Sequence, residues 1–97
     1  MSIFAHTDGL GTAIEELIAD SVLAWRREFY PGNKTVDTFA EHLYSVESTV
    51  SLRPAGVALI TVQVNGRGFL EASTQCFRLQ RTKIGNWKTT GSSLNLK

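Results

Sequence analysis

The sequence predicts an α+β fold: one long N-terminal helix, with a possible short second helix, packed on a four-stranded antiparallel, curved sheet. Three observations predict it. Apolar residues recur at helical spacing from about Thr12 to Tyr30. From about Leu43 onward the pattern changes to alternation and β-branched runs. Pro, Gly and Asn punctuate those runs around Pro54-Ala55-Gly56, Asn65-Gly66 and Gly85-Asn86. At 97 residues the chain fits one domain, 1–97, with residues 1–11 a flexible or loosely ordered lead-in.

In the helix, Ile14, Leu17, Ile18, Ser21, Val22, Trp25 and Phe29 fall three and four apart, forming one stripe. Thr12 followed by Glu15 makes a capping-box pattern. Glu15, Glu16 and Asp20 near the start and Arg26 and Arg27 near the end suit the helix dipole. Pro31-Gly32-Asn33 stops it. Such a helix is roughly 25–28 Å long and about 10 Å across. A short helical turn near Val36, Phe39, Ala40 and Leu43 is compatible with the spacing that follows.

The strands come next. Tyr44, Val46, Val50 and Leu52 alternate with Glu47, Thr49 and Arg53, the signature of a half-buried strand. Val57 to Val64 is a β-branched run, and Asn65-Gly66-Arg67-Gly68 reads as a hairpin turn. Phe69 to Arg81 reads as a third strand, and Trp87 begins a fourth. Four strands about 4.8 Å apart make a sheet roughly 15–20 Å wide, so one helix covers about half of one face.

Register decides what the other face carries. A two-residue Asn65-Gly66 loop would put Val62 with Phe69 and Ile60 with Glu71. An odd-length loop would align Ile60, Val62 and Val64 with Leu70, Ala72 and Cys76, the cleaner apolar face. The odd loop is the expectation. Leu59, Phe69, Phe77 and Leu79, joined by Trp87, then form a second apolar face, which reads as an interface. A bulge near Gln75 is the alternative and would return Phe77 and Leu79 to the core.

Composition excludes more than it assigns. Cys76 is the single cysteine, so no intrachain disulfide forms, and a small core residue is the simplest reading. The start lacks a basic region followed by a continuous apolar run, and no segment has the length and apolarity of a membrane span. A cytoplasmic location is the expectation. Residues through Glu47 hold eight acidic and three basic side chains; the rest hold one acidic and seven basic. Arg78, Arg81, Lys83 and Lys88 gather on the last hairpin as anion-binding candidates. A charged edge that deters aggregation explains them as simply, and nucleic acid is disfavoured.

Candidate chemistry is sparse. His6 and Asp8 fall in the lead-in, and two histidines with one cysteine lack zinc-site spacing. Gly9-Leu10-Gly11-Thr12 lacks the third glycine and the Lys-Ser/Thr of a phosphate loop. No serine has a nucleophile-elbow context. No cofactor is called for, no metal site is expected, and the reading leans against an enzyme.

Cys76-Phe77-Arg78-Leu79-Gln80-Arg81, followed by Gly85-Asn86-Trp87-Lys88-Thr89, resembles the last hairpin of nuclear-transport-factor-2-like proteins, the superfamily of ketosteroid isomerases and polyketide cyclases. The order helix then four antiparallel strands looks like the C-terminal half of that fold. The resemblance implies a curved sheet on a helix, a tendency to dimerise and a small apolar pocket. Family members carry further N-terminal helices that close the pocket and supply catalytic residues, so no catalytic residue is transferred.

Three functional classes follow. The first is a small homo-oligomeric binding or accessory protein, a homodimer or higher, associating through Leu59, Phe69, Phe77, Leu79 and Trp87. The second is a pocket protein or isomerase/cyclase-like enzyme for a small apolar ligand, with Trp25, His42 and Tyr44 lining the pocket and Thr74 and Cys76 on its floor. The third is anion or nucleic-acid binding through the last hairpin.

Overall fold

In the computed structural model, which describes residues 9–96, helix α1 (Leu10–Phe29) leads through a tight turn into α2 (Lys34–Leu43). Strands β1 (Tyr44–Arg53), β2 (Val57–Gly66), β3 (Ala72–Arg81) and β4 (Trp87–Leu96) follow. They form one sheet in the order β1-β2-β3-β4, every neighbour antiparallel. The sheet curls only slightly. Twenty helical residues and ten strand residues both span roughly 30 Å, so α1 can run the length of the strands.

Helix α1 starts two residues before the expected cap. Gly9, at φ 73°, is the N-cap, and Ala13 N–H donates to its carbonyl at 3.0 Å. Thr12 and Glu15 sit inside the helix, so the capping box does not form. Early entry carries Leu10 into the core, where none of it is exposed. Burying a leucine is worth about 1.5–3 kcal/mol, against about 1 kcal/mol for a side-chain cap. The left-handed backbone at the cap suits glycine. The helix ends as expected before Pro31-Gly32, and Asn33 caps α2 by accepting the Val36 N–H at 3.0 Å. Arg26 Nη2 and Asp37 Oδ1, 2.8 Å apart, tie the two helices together.

The core has two parts. Leu10 and Leu17 pack on Ala58, Ile60, Val62, Phe77 and Leu79. Val22 and Trp25 pack with Val36 of α2 and Val64 of β2. Ile60, Val62 and Val64 thus meet the helix stripe as expected, with Leu70 partly buried beside them. Ser21 lies within the stripe because its hydroxyl donates to the Leu17 carbonyl at 2.7 Å, satisfying the buried oxygen locally.

The β2–β3 hairpin corrects the expected register. Strand β2 continues through Asn65 and Gly66, and β3 begins at Ala72 rather than Phe69. Gly66 N–H donates to the Glu71 carbonyl at 3.2 Å, enclosing the loop of Arg67, Gly68, Phe69 and Leu70. This even-length loop pairs Ile60 with Phe77 and Ala58 with Leu79. Phe77 and Leu79 therefore lie beneath α1, at 6% and 1% exposure, while Ala72 and Cys76 fall on the other face. The β2–β3 ladder keeps one register past Gln75, so no bulge is needed; the irregularity is at Arg78/Leu79, on the β4 side. The odd register would have left a phenylalanine and a leucine in water while burying Thr74 and Cys76. Burying the larger pair gains about 1.5–3 kcal/mol per side chain.

Candidate surface site at the β1 edge

The second face of the sheet is largely polar, not the expected apolar patch. The pairings place Thr49, Thr61, Cys76 and Ser93 in one row across it. Glu47, Gln63 and Thr74 form the next. Such alternation is usual where an antiparallel sheet has one packed and one solvated face. Of the five interface candidates, Leu59 alone lies within this face, at 38% exposure. Phe69 stands fully exposed in the β2–β3 loop, and Trp87 is half-buried against the helix-side core. Phe77 and Leu79 are core residues, removed from any such surface by the even register.

The five pocket candidates do not converge. Trp25 and Tyr44 meet on the helix side, ring centroids 5.6 Å apart, in a packed aromatic group with Tyr30. His42 is exposed on α2. Thr74 and Cys76 lie on the opposite face, so the sheet separates them from Trp25. Cys76 Sγ is 3.9 Å from Thr61 Oγ1, beside an open depression of about 390 Å³ that also touches Leu59, Arg78 and Ser93.

The basic candidates divide as well. Arg78 and Lys88 share the polar face, while Arg81 lies opposite Trp87 on the helix side and Lys83 occupies the β3–β4 turn. Arg53, missing from the sequence-based set, joins Arg78 on the polar face. The two border a depression of about 500 Å³ with Val57 and Leu59. Only the strand pairings bring them near each other.

An uncovered apolar ledge lies on the helix side of β1. Helix α1 packs over β2 and β3, and α2 reaches β1. Val50 and Leu52 stay 40% and 49% exposed, although their direct cross-strand partners Ile60 and Ala58 are 1% and 0% exposed. The apolar layer therefore continues from the core to an outer strand without a lid. Sequence alternation identified both residues as apolar-face positions; their exposure depends on where the helix lies across the sheet.

Among the described residues, no three His, Cys, Asp or Glu side chains are grouped to hold a metal ion, and no helix is long and apolar enough to cross a membrane. No family model, curated protein or solved structure matches the chain.

Proposed function

We propose that the chain is a small homo-oligomeric binding or accessory protein whose working form is an assembly of its own copies. The observation that carries this reading is the exposure of Val50 and Leu52 in line with buried Ile60 and Ala58. A chain below one hundred residues buries a smaller share of its surface alone than a larger domain does, and association adds to its core. The apolar contact surface in this reading is the β1 end of the helix side rather than the polar face. The last-hairpin resemblance to nuclear-transport-factor-2-like proteins is compatible with a sheet-based dimer. Sedimentation velocity at micromolar concentration tests the reading: a two-chain or larger species supports it, and a stable single-chain species overturns it.

Anion binding is the second reading, favoured by Arg53 and Arg78 bordering one depression on the polar face. Neutralising both residues should abolish salt-sensitive binding of a polyanion such as heparin. Absence of binding by the unaltered chain at low salt removes this reading.

A further inference from the structure

We infer that two copies join through their β1 edges, antiparallel about a two-fold axis at Val50, to make one continuous eight-stranded sheet. This rests on the homo-oligomer reading and names its surface and register.

The backbone pattern comes first. Arg67 N–H donates to the Leu43 carbonyl at 2.9 Å, and Gly66 N–H donates to Glu71 on the other side of β2. In an antiparallel ladder, hydrogen-bonded pairs alternate with non-bonded ones. Stepping from Leu43–Arg67 by twos, the odd-numbered residues of β1 bond to β2. The N–H and C=O groups of Val46, Ser48, Val50 and Leu52 consequently point to the outer edge. That edge has no strand against it among the described residues, and it carries neither proline nor lysine along Tyr44–Arg53. Such an edge is a template for strand pairing.

Side chains then select the register. Outward groups on even residues require an even sum of paired residue numbers. Pairing Val50 with the partner's Val50 sets Ser48 opposite the partner's Leu52 and Glu47 opposite the partner's Arg53. The Glu47 pairs are of the non-bonded type, where facing side chains approach most closely. The two-fold axis repeats each one, giving two opposite-charge pairs on the polar face. Glu47 accepts from Asn65 Nδ2 at 3.2 Å, which leaves its carboxylate capacity for a guanidinium. On the other face, Ile60 and Val50 of one copy continue into Val50 and Ile60 of the next. The two apolar ledges thereby join into one strip on the helix side, with Val50 flanked by the partner's Val50. Moving the register by two residues in either direction loses the Glu47–Arg53 match, setting Glu47 against Ser51 or against Ala55.

The test is a charge-swap mixing experiment read by sedimentation velocity. Glu47→Arg alone, or Arg53→Glu alone, places like charges opposite each other twice per dimer. Each variant should weaken dimerisation roughly tenfold or more. Mixing the two restores both attractive pairs in the heterodimer, so the mixture should dimerise like the unaltered chain. Restoration cannot arise from misfolding of either variant. A dimer that tolerates both single changes, or a mixture no tighter than its components, overturns the β1 register while leaving homo-oligomerisation intact. A monomeric unaltered chain overturns both.

Discussion

Trp25 donates its indole N–H to the main-chain carbonyl of Glu71 at 2.7 Å, across 46 positions of sequence. The same peptide segment is held from a second side, since Glu71 N–H donates to the Tyr30 hydroxyl at 2.8 Å. The C-terminal end of α1 thus grips the β2–β3 connection by its backbone. The ring nitrogen of the buried Trp25 finds its acceptor in this carbonyl, so the large indole enters the core without an orphaned donor.

Replacing that ring should separate packing from hydrogen bonding. Trp25→Ala should cost about 3–5 kcal/mol through cavity formation. Trp25→Phe keeps an aromatic body but removes the donor to Glu71, and should cost about 1–3 kcal/mol. Tyr30→Phe should cost about 0.5–1.5 kcal/mol, since it loses one hydrogen bond. Urea unfolding followed by circular dichroism ranks the three.

Two glycines should respond in opposite ways. A Cβ at Gly66 would lie 2.5 Å from the Glu71 oxygen and 2.6 Å from Leu70 Cβ, so Gly66→Ala must move the hairpin backbone. Gly91, within β4, has nothing within 4 Å of the same position. Gly91→Ala should be neutral or stabilising by up to about 1 kcal/mol, because glycine weakens a strand interior. Thermal unfolding of both variants checks the contrast.

The register also makes a prediction about aromatic residues. Phe77→Ala should cost about 3–5 kcal/mol, because its ring is buried beneath α1. Phe69→Ser should change stability by less than about 0.5 kcal/mol, since Phe69 is fully exposed. Equal costs for the two would restore the odd-loop register.

Much of the fold was legible in the chain. The stripe from Leu17 to Phe29, the Pro31-Gly32-Asn33 stop and the alternation from Tyr44 to Arg53 each report on local burial, which sequence periodicity encodes directly. Register was less legible. Asn65-Gly66 has the composition of a tight turn, yet Gly66 is required by the close approach of Glu71 and Leu70 within a longer even loop. Both Phe69 and Phe77 are apolar, and only competition for space under α1 decides which is buried. The N-terminal boundary is not legible in the sequence, because the burial of Leu10 outweighs a recognisable cap. The candidate site is the least legible in sequence. Val50 and Leu52 look like ordinary core positions until the lateral position of α1 over β2 and β3 is known.

The Arg26–Asp37 pair joins two helices at the surface, with side chains 30% and 47% exposed. Solvent screening keeps such a pair weak, so Asp37→Asn should cost about 0.2–1 kcal/mol. The difference should shrink in high salt, measurable by denaturant unfolding at two ionic strengths.

Residue-resolved amide hydrogen exchange, recorded at low and high protein concentration, addresses edge association most directly. At low concentration the outward N–H groups of Ser48, Val50 and Leu52 should exchange fast, while those of Thr49 and Ser51, bonded to β2, are slower. At high concentration the three outward amides should become protected together, erasing the alternation along β1. Outward amides that exchange equally fast at every concentration, in a chain that still associates, would contradict pairing through this edge.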